Sequence, residues 1–211
     1  IPSGTNYYVL GQGEITEGGS PRAIVSRLNA AGELQWTLSL NTASIWNDAV
    51  ITPSGNLMVV GNSLPDDNTS RGIMGLVTSG GAFTWVRSYD LPQRDGFWRI
   101  VRNAAPQSAA FPYYVLGSQT DVMTSNTDMF LLNLNESGTL NWKKLYFGPI
   151  FFNGSKIPRD LVALPNGDLL IAANLDAQGV IMRTDNGGQP FNGVTPDGGF
   201  IFKDIALGSG G

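Results

Sequence analysis

The chain has no cysteine and no histidine. Without cysteine there are no disulfides, no thiolate metal sites and no thiol nucleophile. Without histidine the commonest general base and metal ligand is missing, and Ser-His-Asp chemistry is excluded with it. Glutamate is scarce, confined to Glu14, Glu17, Glu33 and Glu136. Charged residues make up only 14% of the chain, against roughly 25% in ordinary soluble domains. The surface must then be wetted by Asn, Ser, Thr and Gln, which suits a secreted or cell-surface protein. A bacterial export does without disulfides more readily than a small secreted eukaryotic module. There is no basic run and the net charge is −4, so binding nucleic acid by neutralising phosphates is not expected. No apolar stretch approaches the roughly 20 residues of a membrane-spanning helix, and membrane insertion is not expected either. The opening Ile1-Pro2-Ser3-Gly4, without Met or signal peptide, reads as a mature or excised piece.

What the chain does have is turn residues, 27 Gly and 12 Pro among 211, and a repeated string. The clearest copy is Tyr113 to Trp142, YYVLGSQTDVMTSNTDMFLLNLNESGTLNW. Earlier copies read YYVLG (Tyr7 to Gly11) with AIVSRLNAAGELQW (Ala23 to Trp36), and MVVG (Met58 to Gly61) with GIMGLVTSGGAFTW (Gly72 to Trp85). A decayed fourth has LLIAAN (Leu169 to Asn174) and GVIMRTDNGG (Gly179 to Gly188). The first strand closes at Gly11, Gly61, Gly117 and Ala173. Self-similarity at a period of roughly fifty residues means stacked supersecondary units. In the fourth copy the tryptophan position is expected within 195–200, where no Trp stands.

Period-2 alternation dominates, and each repeat reads as four short antiparallel strands. The predicted fold is therefore all-β: a β-propeller of about four four-stranded blades, closed on itself or part of a larger ring. The whole of 1–211 is one such domain or segment, with repeats near 5–55, 56–111, 112–167 and 168–211. Short turns (30–32, 79–81, 136–138, 53–55, 165–167) gather on one rim. Long connections (12–22, 62–71, 118–127 and 41–47, 90–97, 147–159) gather on the other. Binding residues favour long loops on a rigid scaffold, so the long-loop rim is the expected site.

The third repeat carries Asp128 to Leu134, Gly138, Leu140, Trp142 and Lys144, then Asp160 and Pro165 to Gly167. This pattern, an apolar strand to Gly, D-x-F-L-x-x-L-N-x-x-G-x-L-x-W-x-K, then D-x-x-x-x-P-x-G, resembles the β-propeller repeats of large exported proteins of the Bacteroidetes. The resemblance implies export, often by a type-nine secretion route, and a surface module as the role.

Trp36, Trp85 and Trp142 recur at one strand position and are expected to pack between blades. Asp48, Asp160 and Asp204 also recur at one position, which suggests a blade-locking hydrogen bond rather than catalysis. No catalytic residue is assigned. Trp46, Phe97, Trp98, Phe151 and Phe152 fall in the predicted long loops. They are candidates to clamp a protein or glycan, or else they cap the propeller. On the loop reading, replacing Trp46 and Trp98 spares folding. Asp66-Asp67-Asn68, Asp121 with Asp128, and Asp176 could offer oxygens to calcium, but none has a calcium-loop spacing, and Asx turns explain them as well. The functional expectation is a non-enzymatic binding or scaffolding module. A polysaccharide-active glycosidase or lyase using rim carboxylates is the alternative, and a structural subunit of a bacterial surface machine the third.

Overall fold

The computed structural model describes residues 1–3, 6–14, 19–64, 70–89, 94–105, 108–121, 123–146, 155–176, 178–195 and 200–207. Among them there are strands and turns and no α-helix. They fall into two compact units, Ile1–Phe97 and Trp98–Gly211.

The first unit holds β1 (Pro2–Ser3), β2 (Asn6–Gly13), β3 (Arg22–Leu28), β4 (Leu34–Ile51), β5 (Leu57–Ser63), β6 (Gly72–Val77) and β7 (Phe83–Tyr89), each hydrogen-bonded to the next. β8 (Arg94–Arg102) begins here and continues into the second unit. There it joins β9 (Tyr113–Thr120), β10 (Thr127–Leu134) and β11 (Leu140–Tyr146) in a four-stranded sheet. A last sheet runs β12 (Lys156–Ala163), β13 (Leu169–Leu175), β14 (Gln178–Thr184) and β15 (Pro190–Val194). All the ladders given between consecutive strands are antiparallel, Tyr7↔Leu28 and Leu169↔Thr184 among them. The chain is all-β, built of four-stranded antiparallel propeller blades.

Two local expectations are corrected. Residues 41–47 are not a loop: β4 runs unbroken through them. No Gly or Pro stands between Gly32 and Pro53, so nothing breaks the extended backbone. The strand leaves one sheet at Ala43, which pairs with Arg22, and enters the next at Ser44, which pairs with Ser63. Likewise β8 starts at Arg94 and β12 at Lys156, so Phe97, Trp98 and Arg159 are strand residues. The closing strand of one repeat thus pairs with the opening strand of the following repeat, as Ile51↔Leu57 shows. Spatial sheets are offset by one strand from sequence repeats.

The two neighbouring sheets in each unit pack face to face through apolar side chains. In the first unit Tyr8, Val25 and Trp46 meet Leu57, Val59 and Ile73. In the second, Tyr114, Leu116 and Leu131 meet Leu161, Leu169 and Ile171. The recurring indoles sit at the edge of these contacts and are half-buried. Trp36 lies beside Tyr8, ring centroids 5.9 Å apart, and its Nε1 donates to Ser79 O at 3.2 Å. Arg27 Nη1 donates to the same carbonyl at 2.7 Å. Trp142 meets Tyr114 edge-on at 5.9 Å. Trp36 and Trp142 each cover a turn glycine of the next sheet: a Cβ on Gly81 would lie 2.7 Å from the Trp36 ring, and one on Gly188 2.7 Å from the Trp142 ring. Both glycines have positive φ, 86° and 74°. Trp85 carries the Arg87 guanidinium 5.2 Å above its ring. In the fourth sheet the tryptophan position is Asn192, not a residue of 195–200. Asn192 faces Arg183 as Trp36 faces Arg27 and Trp142 faces Asn133.

Gly55 also has positive φ, but a Cβ there meets nothing within 4 Å. Gly55→Ala should therefore cost only left-handed strain, about 1 kcal/mol. Gly81→Ala adds displacement of the Trp36 ring and should cost about 2–4 kcal/mol. Urea unfolding of both variants measures the difference, and equal losses would refute the indole-on-glycine contact. Trp142→Ala should cost about 3 kcal/mol by the same assay.

Candidate functional site

The first strand of each later sheet repeats a three-residue stretch: Trp46-Asn47-Asp48 on β4, Phe97-Trp98-Arg99 on β8 and Pro158-Arg159-Asp160 on β12, with Phe202-Lys203-Asp204 in the terminal segment 200–207. The leading residue of the stretch faces a small residue of the preceding sheet. A Cβ on Gly72 would fall 2.6 Å from the Phe97 ring, and one on Gly179 2.6 Å from the Phe202 ring. Ala23 holds the same register position beside Trp46, sharing its core. Where Met129 replaces the small residue, Pro158 replaces the aromatic. An asparagine latches the backbone. Asn62 Oδ1 accepts from Phe97 N at 2.8 Å, and Asn174 Oδ1 accepts from Phe202 N at 2.9 Å.

This placement corrects the loop reading of the aromatics. Trp46 is 3% exposed and Phe97 fully buried; both belong to the contact between sheets, and replacing Trp46 cannot spare folding. Trp98 is half-buried on β8, its Nε1 donating to Ser118 Oγ at 2.8 Å. Phe151 and Phe152 lie outside the described residues. The sequence pattern missed Asn62, Asn174 and Arg99. The asparagines were legible as the residue after Gly61 and Ala173; Arg99 stands at the register of the recurring aspartate.

Backbone register shifts at Trp46/Asp48 and Pro158/Asp160 mark a bulge that re-aims the recurring aspartate. Asp48 is half-buried. Asp160 is buried, accepts from Arg99 Nε at 3.0 Å and from Ile205 N at 2.7 Å, and is in hydrogen-bond contact with Asp204. Asp204 also caps Ile205 N at 2.9 Å. Burial, then the bond to Asp204, raises the Asp160 pKa; the bond to Asp160, then the Ile205 amide, lowers that of exposed Asp204. The two carboxyls titrate as a coupled pair, Asp160 holding a proton more tightly than a free aspartate and Asp204 less tightly. Glycoside hydrolysis uses carboxyls about 5–10 Å apart across the substrate; two carboxyls in contact leave no such gap. What this pair does is fasten 200–207 to β12.

Between the same two sheets, Met129, Tyr146, Asn174, Leu175, Val180 and Met182 wall a cavity of about 20 Å3. That holds one water-sized group and not a sugar. Lys156, only 5% exposed, lines it and pairs with Asp128 at 3.4 Å. Burial raises the Tyr146 phenol, which donates to Gly188 O at 2.9 Å.

The acidic loop residues have protein partners. Asp121 Oδ1 accepts from Met123 N at 2.8 Å and Thr124 N at 3.3 Å, an Asx-type turn. Asp176, at φ 50°, accepts from Ser155 N at 3.2 Å. Asp66-Asp67-Asn68 lie outside the described residues. The Asp121 turn is closed by Ser125 N on Asp121 O at 2.8 Å and holds Met123 out at 89% exposure.

No protein-family model matches the chain, and no curated protein matches it. Among solved structures it is similar to a protein of unknown function from Bacteroides caccae, at TM-score 0.52 and 16% identity over 85% of this chain. The chain spans 58% of that structure's length. It is also similar to a catalytically inactive virginiamycin B lyase from Staphylococcus aureus with quinupristin, at TM-score 0.46 and 12% identity, covering 97% of this chain and 79% of that one. The Bacteroides likeness is one of fold.

The paired carboxyls make the latch pH-dependent. Asp160 binds its proton more tightly folded than unfolded. Its contribution is therefore full below the ordinary 3.8 and is lost as pH rises through its raised pKa. Asp204, lowered, contributes above 3.8 and loses that as pH falls through its own lowered pKa. Hydrogen exchange at the Ile205 amide should thus quicken, beyond the intrinsic pH effect, as pH climbs from 4 through the Asp160 titration. Asp204→Asn should flatten this excess; an unchanged profile would refute the coupling of the two carboxyls.

Proposed function

We propose that the chain is a non-enzymatic, exported bacterial propeller module that scaffolds or binds a protein or glycan at its long-loop rim. The reading is carried by the inequality of the two rims. Within each unit one end of the sheets is closed by tight turns on Gly32, Gly55, Gly81, Gly138, Gly167 and Gly188, all at positive φ. The other end carries longer connections, and there the hydrogen-bonded Asp121 turn presents Met123 to solvent. A large exposed thioether on an ordered turn is a contact group, adaptable in shape and weakly hydrated. Export is supported by the low charge and the absence of Cys in the chain.

The polysaccharide-active alternative uses rim carboxylates; among the described residues Asp160 and Asp204 are a pair of carboxyls in contact. Their mutual contact and the Arg99 pairing favour a latch over an acid–base pair.

Affinity electrophoresis through gels holding xylan, mannan or pectin, with a parallel assay for released reducing ends, separates these readings. Retardation without release is expected, reduced about tenfold in affinity by Met123→Asp with the melting temperature unchanged. Sugar release abolished by Asp160→Asn would overturn the non-enzymatic reading. Failure to bind any of the three removes the glycan arm and leaves a protein partner.

A further inference from the structure

We infer that Asn186, in the turn 185–188, is a site of spontaneous modification: attack by the Gly187 amide slowly turns it into aspartate and isoaspartate and loosens the contact between the two sheets of the second unit. Asparagine followed by glycine occurs four times, at Asn153-Gly154, Asn166-Gly167, Asn186-Gly187 and Asn192-Gly193. A glycine in second place offers an amide that no Cβ shields. Asn153 and Gly154 lie outside the described residues. The other three pairs differ in what holds the reacting atoms. Gly167 N donates to Leu164 O at 2.9 Å. The Asn166 side chain is bonded at both ends to Asp168, its Nδ2 donating to Oδ2 at 2.7 Å and its Oδ1 accepting from the Asp168 amide at 3.1 Å. Asn192 and Gly193 stand inside β15, in ladder with Arg183 and Met182, which keeps their backbone extended. At Asn186 the bonds close around the pair and not on it. Gly188 N donates to Asp185 O at 3.1 Å, Asp185 N to Gln189 O at 3.0 Å and Gln189 N to Asp185 Oδ1 at 2.8 Å. Gly187 N and the Asn186 side-chain amide have no hydrogen-bond partner among the described residues.

The reaction needs water and no other partner. Gly187 N bonds to Asn186 Cγ, the Cγ–Nδ2 bond breaks, and the side-chain nitrogen leaves as ammonia with the Gly187 amide proton. Water then opens the cyclic imide. Cleavage of the new bond gives aspartate. Cleavage of the old peptide bond gives isoaspartate, in which the main chain runs through Cβ and Cγ and is one carbon longer. The turn is anchored on both sides of that extra carbon. Asn186 O accepts from the Tyr114 hydroxyl at 2.9 Å, and in isoaspartate this carbonyl becomes a free carboxylate off the main chain. Gly188 O accepts from the Tyr146 hydroxyl at 2.9 Å, and Gly188 lies under the Trp142 ring, with room for no Cβ. A longer chain between the two anchors cannot keep both in place. Tyr114, Trp142 and Tyr146 belong to the sheet β8–β11 and the turn to the sheet β12–β15. One bond change at 186 therefore acts on the packing of sheet against sheet, and either product adds a negative charge beside Asp185.

Peptide mapping of the folded full chain, held in warm, mildly alkaline water enriched in heavy oxygen, tests this. Label should enter at Asn186 at least about tenfold faster than at Asn166, where the bond from Gly167 N to Leu164 O must break first. It should also outpace label at Asn192. In strong denaturant, where turn and ladder bonds are gone, the three rates should converge. Chain carrying isoaspartate at 186 alone, separated by ion exchange, should melt at a lower temperature than fresh protein. Asn186→Gln replaces a side chain that has no bond to lose, and should melt like fresh protein while taking up no label at 186. Label entering at Asn166 or Asn192 as fast as at Asn186 in the folded chain overturns the proposal. An isoaspartate form that melts like the fresh chain overturns it as well, because the extra carbon then leaves the sheet contact untouched.

Discussion

The structure depends on a ring of one sheet lying flat on a glycine of its neighbour. It occurs at two levels. Near the tight-turn rim Trp36 covers Gly81 and Trp142 covers Gly188; at the far end Phe97 covers Gly72 and Phe202 covers Gly179. Each contact needs the glycine twice in the turn cases, once for the positive φ and once because any Cβ would enter the indole. A sheet has no intrinsic reason to stop at one particular distance and slide from its neighbour. β6 and β14 each meet such a ring at either end, one from the element before and one from the element after, and the side-chain latches from Asn62 and Asn174 hold the later contact in register.

Hydrogen bonds that cross between sheets then fall into place. The turn carbonyl of Ser79 receives both Arg27 and Trp36; the turn of 185–188 receives Tyr114 at Asn186 O and Tyr146 at Gly188 O. These donors come from long side chains with apolar bodies, so the same residues bury area and satisfy carbonyls that the turns leave over. Where the indole is missing, at Asn192, Arg183 turns back to Asp168 of its own sheet and stacks on Phe191 at 5.1 Å. Arg27 reaches across to the next sheet; Arg183, at the same register, does not.

The fold was legible because alternation and turn glycines are local signals. β3, β6 and β10 appear where the apolar runs put them, and five of the six positive-φ glycines, all but Gly188, were visible as the ends of short turns. The candidate aromatics misled for an equally local reason. Trp46 and Phe97 sit between Asn-, Ser- or Gly-containing stretches that look like loops, and their burial comes from a small residue at Ala23 or Gly72, far off in sequence. Only the ladder register brings those residues opposite, and register is not written in any one segment. The offset between repeat and sheet has the same origin: the fourth strand of a repeat carries no mark of which neighbour it will pair with.

The recurring aspartate shows how the same position can hold unlike chemistry without changing the scaffold. Asp48, Arg99, Asp160 and Asp204 share one place on successive first strands, brought out by a bulge at the residue before it in β4 and β12. Three consecutive acids here would repel across a short gap; Arg99 breaks the series and bonds to Asp160. Burial and the bond to Asp204 raise the Asp160 pKa, and the one guanidinium at hand, Arg99, bonds to Asp160 at 3.0 Å. A site evolved for hydrolysis would keep its carboxyls apart so that substrate could enter. Here the geometry brings them together and spends them on each other and on the Ile205 amide, so the chemistry of this pair is cohesion.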